Sequence, residues 1–395
     1  MDRIGGLGEA EYARRMRAER RHFREMYLGA GEPTNAALDY MHRRWEATIA
    51  EETGKPPWQH VIDFVNGREH TTVLSLGAGA CTHELDVAGW FTSSFSLDCL
   101  DMNEELLASG RAEGERRGIR VQTIRQDANR MELEAGRYDL VVAFSCLHHL
   151  VELEEVYLQV ARALRPEGWF FVLDVTARNR MRLWPEALVV ADALWELLPA
   201  RLRRELTAPE GDKPVREQIP DLVAAGEGFE CIRSEEVLPL LERFYPLDHL
   251  VKGCAFARQF LQADFGPNYD LEVSQDRQIL EALWETDQRL VKAGLLRPGY
   301  FFAWARRSEA STEEFARAAD EFHARGPEAV EAERMAPAAE LESLRREVER
   351  LRWEVEGLRK STSFRLGKLF VSRLAFLRRL KKPGARGDIE SGPTG

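Results

Sequence analysis

The sequence predicts an α/β fold built on a doubly wound sheet of parallel strands. Between residues 73 and 175, five short apolar runs alternate with segments of helical character, which is the order typical of βαβ units. The run at 140–144 is apolar throughout, as expected for a strand covered on both faces. The run that begins at Val73 turns through two glycines directly into a helix, as the first strand of such a sheet often does.

The other elements are expected on both sides of this core. Helices at 9–26, 36–51 and 58–66 make residues 1–70 an N-terminal helical cap. The arginine-rich first helix is interpreted as a solvated face, with a lid or a surface for an anionic substrate as the alternative. Five strands are predicted near 73–77, 96–101, 120–125, 138–144 and 169–175.

The turn after the first strand is a candidate ligand cradle. It reads Gly77-Ala78-Gly79, and a helix begins close to Thr82. Two glycines remove the side chains that would hold a ligand away from the backbone. The free N–H groups and the positive end of the helix can then face a polar or anionic group. By itself this pattern is weak evidence for a nucleotide-like ligand.

The second strand strengthens this interpretation because it ends in an acid, Asp101, 24 positions after Gly77. A carboxylate at this spacing suits the two hydroxyls of a ribose. A dinucleotide fingerprint would need glycine or alanine at the sixth position of G-x-G-x-x-G, and Thr82 stands there. A nicotinamide-dependent oxidoreductase is therefore the less favoured alternative.

Two later segments carry a family resemblance. Residues 126–128 read Gln-Asp-Ala after an apolar run, and residues 138–150 read Tyr-Asp-Leu-Val-Val-Ala-Phe-Ser-Cys-Leu-His-His-Leu. With these segments the chain resembles a class I S-adenosylmethionine (SAM)-dependent methyltransferase over about 73–307. The resemblance implies a Rossmann-like methyltransferase domain at 71–307 with a seven-stranded, doubly wound sheet, and SAM as its cofactor. It places strands six and seven at 229–237 and, antiparallel, 299–306, which leaves helical insertions at about 177–225 and 242–297.

The same resemblance implies roles for individual residues. Gly77, Ala78 and Gly79 would lie against the amino-acid part of SAM, and Asp101 would bind the ribose hydroxyls. Met102 would pack on adenine, Asp127 and Ala128 would meet its edge, and Ser145 would close the site. Two alternatives remain open: Asp127 as a loop cap, and Met102 as an ordinary core residue.

The acceptor side of the site is predicted from three residues. His149 follows the fourth strand and is the candidate general base, because a neutral imidazole accepts a proton near neutral pH. Arg180 and Trp184 open the first insertion, where a guanidinium and an indole could hold a sugar or a phosphorylated carrier. The alternative for both is ordinary packing and surface charge. No metal site is predicted.

Composition limits the partners and the compartment. The formal net charge of -11 over 395 residues argues against a general nucleic-acid binder. Five widely spaced cysteines indicate reduced thiols in the cytoplasm rather than disulfides or a zinc site. The first residues lack a signal-peptide core, and no apolar run reaches the ~18 residues of a membrane span. We therefore expect a cytoplasmic protein.

The C-terminal part is predicted to contain a linker at 308–338 and a coiled coil at 339–361. Apolar residues recur there in alternating steps of three and four, beginning at Leu341. Each g-position glutamate, such as Glu340, precedes an e-position arginine, such as Arg345, which favours a parallel homodimer. The alternative is a single amphipathic helix docked on its own domain.

The tail at 362–395 is basic and amphipathic. Between residues 362 and 386 it has eight bases and no acid, and its apolar residues fall on one side of a helical wheel. This pattern is typical of a helix lying on an anionic membrane, with protein binding or disorder as alternatives. The run at 360–366 after a coiled coil also resembles the tails of bacterial surface-polysaccharide enzymes.

Together these patterns predict O-methylation of a sugar, glycan or lipid-linked intermediate in cell-surface polysaccharide biosynthesis. We expect a cytoplasmic protein that could also attach to the inner face of the membrane through its tail. A third hypothesis is a non-catalytic, membrane-tethered scaffold that keeps the sheet but not the reaction.

Overall fold

A computed structural model describes residues 7–28, 35–208, 213–220 and 228–318, together with 320, 321 and 324. The predicted coiled coil, the basic tail and most of the predicted linker lie outside the described residues. None of the described helices is long and apolar enough to span a bilayer.

The fold is organised by a mixed sheet of seven strands in the order β3-β2-β1-β4-β5-β7-β6. The strands β1 to β5 are parallel, β7 runs antiparallel to β5, and β6 runs antiparallel to β7 at the edge. The predicted seven-stranded sheet with an antiparallel last strand is therefore present. The strands are β1 His70–Leu76, β2 Ser94–Asp101, β3 Val121–Arg125, β4 Tyr138–Phe144, β5 Leu164–Val175, β6 Leu247–Gly253 and β7 Tyr300–Arg306.

Helices cover both faces of the sheet, as its doubly wound topology requires. Local signals set several of their ends. Asn35 caps α2 by accepting a hydrogen bond from the Leu38 N–H, and Gly54 ends that helix with φ of 85°. The helices are α1 Glu9–Leu28, α2 Ala36–Thr53, α3 Pro57–Asn66, α4 Thr82–Ala88, α5 Glu104–Arg117, α6 Leu153–Ala163, α7 Pro185–Leu197, α8 Ser234–Phe244 and α9 Ser274–Lys292.

The core forms two apolar layers, one on each side of the sheet. Successive strand residues point to opposite faces, so Phe171 joins the layer with α2 and α3, whereas Phe170 joins the layer with α6 and α8. Both side chains are fully buried. Burial of one such side chain stabilises the fold by about 1.5–3 kcal/mol. The two layers hold the strands firmly, so the strand ends form a rigid platform.

The predicted position of strand six is wrong. Residues 229–233 form a turn with Cys231 at φ of 49°, and the remainder of the predicted strand belongs to α8. Val237, Leu241 and Phe244 bury one face of that helix at helical spacing, and two glutamates occupy its first turn. The strand lies instead at Leu247–Gly253, so the expected helical insertion at 242–297 is interrupted by β6.

Candidate functional site

Among the described residues, a large cavity lies where β1, β2, β3 and β4 end, at the carboxyl edge of the sheet. Its empty volume, including the open mouth, is about 1020 Å³. This edge is where open α/β sheets bind their ligands, and the reversal of strand order between β1 and β4 opens the crevice there. Nine of the residues predicted from the sequence line it: Gly77, Ala78, Gly79, Asp101, Met102, Asp127, Ala128, Ser145 and His149.

The glycine turn forms one wall of the cavity because its backbone takes conformations that side chains resist. Gly77 has φ of 61° and Gly79 has φ of 51°. A Cβ atom on Gly77 would lie 2.6 Å from Cβ of Cys146, which no real pair of carbons tolerates. The first glycine is thus required for both its conformation and the close approach of β4.

Asp101 ties the end of β2 to this turn. One carboxylate oxygen accepts a hydrogen bond from the N–H of Gly79 at 2.9 Å, and the other accepts from the N–H of Asn103 at 2.7 Å. Burial raises the pKa of Asp101 above its ordinary value, while these N–H groups act in the opposite direction. The carboxylate is held rigidly at the cavity wall, with lone pairs left for a ligand hydroxyl.

Asp127 is held in two ways at the end of β3. Its side chain caps the short helix 128–130 through the N–H of Asn129 at 3.0 Å. It also accepts a hydrogen bond from the hydroxyl of Tyr12 at 2.7 Å. The loop-cap alternative considered for Asp127 therefore describes a contact that is present, alongside its place in the cavity lining.

Helix α1 forms the opposite wall of the cavity. Tyr12, Met16, Glu19 and Phe23 recur at helical spacing along its inner side, and Arg20 follows the same wall. The backbone carbonyl of Arg20 accepts a hydrogen bond from the side chain of Asn103 at 3.1 Å. The interpretation of α1 as a solvated face is thus incomplete, because the side of the helix that carries these residues lines the cavity. The helical spacing of these residues is visible in the sequence.

The two histidines after β4 have different environments. His148 is buried, and its Nδ1 lies 2.5 Å from Asp174 at the end of β5. Burial alone favours the neutral imidazole, but the carboxylates of Asp174 and Glu230 outweigh it and raise the pKa of His148 to about 10. His149 lines the cavity, and Phe23 packs edge-on against its ring at 5.3 Å between ring centroids.

Three carboxylates surround this histidine pair, and the sequence did not single out any of them. Glu19 Oε1 lies 2.6 Å from His149 Nδ1, although these two atoms are not aligned for a hydrogen bond. Glu230 lies 3.6 Å from His148 Nε2 and 3.4 Å from His149 Nε2. Burial would raise the pKa of Glu230, but the two imidazoles hold it below its ordinary value.

The turn that carries Glu230 is anchored by a buried arginine. The guanidinium of Arg233 makes hydrogen bonds to Glu154 at 2.8 and 2.9 Å and to Glu236 at 2.6 and 3.2 Å. It also donates to the carbonyl of Val151 at 2.6 Å, two residues beyond His149. This network fixes the turn beside the histidines, which are distant from it in the chain.

Arg180 and Trp184, the predicted substrate residues, do not line the large cavity. Trp184 is buried, donates its indole N–H to the carbonyl of Pro298 at 3.2 Å, and lies under the guanidinium of Arg297. Arg180 is exposed on a strained turn with φ of 64°. Their neighbours Met181 and Arg182 line a second cavity near the end of β5, whose empty volume, including its open mouth, is about 340 Å³.

Comparison with known proteins identifies the central part of the chain. Residues 73–168 match the family model of a methyltransferase domain. Over 159 residues the chain is 26% identical to the hybrid PKS-NRPS synthetase prlS of a fungal species. This alignment covers 37% of this chain and 4% of that protein. Over 134 residues it is 25% identical to the ubiquinone/menaquinone biosynthesis C-methyltransferase UbiE of Cupriavidus necator. This alignment covers 34% of this chain and 50% of that protein.

The chain thus spans half or less of the length of these curated relatives. Among solved structures, it is similar to an S-adenosylmethionine-dependent methyltransferase from Mesorhizobium loti, with 17% identity and a TM-score of 0.36. That similarity covers 63% of this chain and 95% of the other. A TM-score of this size supports no transfer of substrate or residue roles.

The lining of the cavity suits SAM in its chemistry. Gly77 and Gly79 leave the backbone bare at one wall, and Asp101 presents a fixed acceptor at the next. Met102, Leu100 and Leu106 add apolar surface for an aromatic base. Residues 73–168 are a methyltransferase domain of the class I kind, whose cofactor is S-adenosylmethionine.

Proposed function

We propose that the protein transfers a methyl group from SAM to a hydroxyl of a sugar, glycan or lipid-linked intermediate in cell-surface polysaccharide biosynthesis. One observation carries the proposal. His149 lies in the wall of the same cavity as Gly77, Asp101 and Ser145, so a proton acceptor faces the space beside the bound cofactor. Oxygen is a poor nucleophile while it is protonated, and a base at this point serves its methylation.

Different residues bind the cofactor and activate the acceptor hydroxyl. SAM supplies an activated methyl group when bound, so alignment of the acceptor contributes most of the remaining acceleration. The glycine turn and Asp101 form one side of the cavity, and α1 forms the other. The imidazole of His149, beside Glu19 and Glu230, removes the hydroxyl proton as the new carbon–oxygen bond forms.

A polar, ring-shaped acceptor is supported by the second cavity. Arg182, Arg258 and the ring of Tyr300 line it beside Val175, the last residue of β5. Guanidinium groups match the oxygens of hydroxyls and phosphates, and an aromatic ring stacks on the apolar face of a sugar. This surface lies at the same edge of the sheet as the methyltransferase site.

Carbon is the second candidate acceptor atom, because the UbiE relative is named a C-methyltransferase. A general base serves both chemistries, since an acidic C–H must also lose its proton. The two are separated by the product: an O-methyl and a C-methyl group differ clearly in their carbon chemical shift.

The test uses the purified full chain. We expect isothermal titration to show SAM binding, and we expect incubation with isotopically labelled SAM and cell-envelope fractions to label a glycan or lipid intermediate. Mass spectrometry should show the mass of one added methylene. Binding of NADH instead of SAM would favour the oxidoreductase, and SAM binding with no labelled product in any fraction would favour the scaffold.

We also propose that the chain forms a dimer through 339–361 and attaches to the cytoplasmic membrane face through 362–395. The heptad pattern and the eight bases support these proposals. Light scattering and sedimentation with anionic vesicles test them on the full chain and on chains ending at 361 and 338. Removal of the tail should abolish vesicle binding alone, and removal of both segments should also give a monomer.

A further inference from the structure

Two imidazoles and a carboxylate converge at the wall of the cofactor cavity. In the part of the chain that the structure describes, the ligand atoms of His148, His149 and Glu230 lie within 4.8 Å of one another. The Nε2 atom of each histidine faces the carboxylate of Glu230, at 3.6 and 3.4 Å. These distances are too long for strong hydrogen bonds.

We propose that His148, His149 and Glu230 bind a divalent first-row transition metal, with Zn²⁺ as the reference ion. Ligands at 2.0–2.2 Å from a tetrahedral zinc lie about 3.4 Å apart. Nε2 of His148 lies 3.6 Å from one carboxylate oxygen of Glu230, and Nε2 of His149 lies 3.4 Å from the other, so a carboxylate that binds through both oxygens would serve both imidazoles. Two nitrogens and one oxygen suit zinc, iron or manganese, whereas magnesium and calcium select oxygen ligands.

The surroundings of the histidines support this assignment. Histidines that bind metals turn their other ring nitrogen to a carboxylate, which fixes the tautomer and the ring orientation. Here Nδ1 of His148 forms a hydrogen bond with Asp174 at 2.5 Å, and Nδ1 of His149 lies 2.6 Å from Glu19 without hydrogen-bond alignment. The Nε2 atoms of both histidines face Glu230, and the metal would lie among these three side chains.

The acidic surroundings of the histidine pair also suit a cation. Asp174, Glu19 and Glu230 place three carboxylates around the two imidazoles. Glu19 and Asp174 are 3% and 0% exposed. Buried charged groups in proteins are paired or coordinate metals.

The role of the metal rests on the proposed methyltransferase function. Because His149 lines the cavity, a metal with an open coordination position would contact the acceptor oxygen there. A metal lowers the pKa of a bound hydroxyl, as it does for bound water. With His149 as a ligand, the metal would replace the imidazole as the activating group. The hydroxyl would lose its proton to Glu19, which also lines the cavity, its oxygen would form the bond to the methyl carbon, and the sulfur would keep the electron pair of the bond that breaks.

The test measures metal binding directly on the full chain. After treatment with a chelator, titration with Zn²⁺ should show one site per chain, and Co²⁺ should give visible absorption bands. Glu230→Gln and His149→Gln should each weaken Zn²⁺ binding more than about 100-fold. Glu19→Gln removes only a supporting carboxylate and should cost about 10- to 100-fold. His70→Gln alters an exposed histidine outside the cluster and should change nothing.

Two readouts keep the outcome decisive if a variant folds poorly. Zn²⁺ should raise the melting temperature of the unaltered protein, and elemental analysis should find the metal after dialysis. A stoichiometry far below one, or Zn²⁺ affinity unchanged in both Glu230→Gln and His149→Gln, overturns the proposal. SAM titration of the same samples separates this result from the proposed function: SAM binding without metal binding leaves that function standing.

Discussion

The hydroxyl of Tyr12 donates a hydrogen bond to the carboxylate of Asp127 at 2.7 Å, joining helix α1 to the end of strand β3. The same hydroxyl accepts a hydrogen bond from the side chain of Asn129 at 3.0 Å. Asn129 in turn accepts from the N–H groups of Val151 and Glu152. One phenol therefore connects the cover of the cavity with the segments that follow β3 and the histidine pair.

Tyr12→Phe should loosen this cover without unfolding the sheet. Loss of the hydroxyl leaves buried partners unsatisfied, at a cost of about 1–3 kcal/mol to the docking of α1. We expect faster amide hydrogen exchange across 9–28 and SAM affinity reduced several-fold. Arg17→Gln changes an exposed residue of the same helix and is the matched control. Exchange in α1 that matches the unaltered protein would contradict this account.

Asp101→Ala should nearly abolish SAM binding. The carboxylate is fixed by two N–H groups, and hydrogen bonds from ligand hydroxyls to a charged group contribute about 1.5–3 kcal/mol each. Loss of two such bonds predicts affinity reduced at least roughly 100-fold in isothermal titration. Asp86→Ala removes an acid whose side chain is 61% exposed, and its affinity should be unchanged. Equal affinities for the two variants would remove Asp101 from the cofactor site.

Gly77→Ala should reduce both stability and SAM affinity, because the new methyl group meets Cys146. Gly136→Ala is a close control: Gly136 also has a positive φ, of 64°, but a Cβ there meets no atom within 4 Å. The left-handed backbone costs an alanine about 1–2 kcal/mol at either position. Thermal melting and titration should show a larger loss for Gly77→Ala, and only this variant should bind SAM weakly.

Arg233→Met should strongly destabilise the protein. The guanidinium is almost fully buried between Glu154 and Glu236, so its removal leaves two uncompensated buried carboxylates. Breaking a buried ion pair in this way costs about 3–5 kcal/mol, measurable by urea unfolding. The triple change Arg233→Met, Glu154→Gln and Glu236→Gln should recover part of the loss. A small loss in the single variant would show that the network does not anchor the turn.

The free energy of unfolding should depend on pH through His60. Burial, with Lys55 and His249 nearby, lowers the pKa of His60 from 6.5 to about 4. Below pH 6.5 the unfolded chain gains a proton that the folded chain does not take up until about pH 4. The free energy of unfolding therefore falls as the pH drops through this window, by about 3 kcal/mol.

His60→Phe should remove this part of the acid sensitivity while keeping an aromatic ring against Phe302 and Trp304. Urea unfolding at pH 7 and pH 4.5 measures the difference between the two proteins. His70→Phe, at an exposed position, should retain the acid sensitivity of the unaltered protein. Identical pH slopes in the His60 and His70 variants would show that His60 does not titrate in this way.

The glycine turn and Asp101 were predictable because a short, continuous stretch of sequence signals each of them. A buried strand, a turn that needs positive φ and an acid at the next strand end are all local patterns. Parallel pairing of β1 with β2 then brings them together. The position of His149 at the cavity followed in the same way, from its place just after the fourth strand.

Glu230 could not be found by such reasoning, because its position depends on packing. The turn that carries it is held by Arg233 against α6, a contact that no local pattern encodes. The error at strand six has a related cause. β6 lies at the sheet edge, where Asp248, His249 and Lys252 interrupt the apolar pattern, whereas the more apolar α8 resembled a strand.

The positions of the carboxylates around the histidine pair determine how far the protein can be truncated. Glu19, Asp174 and Glu230 all lie outside residues 73–168, the stretch that matches the family model. A fragment cut at those boundaries keeps the glycine turn and Asp101 but loses these three carboxylates beside His148 and His149. Such a fragment is an unsafe surrogate for inhibitor screening or for assigning substrates, because its acceptor side would be chemically different from that of the full chain.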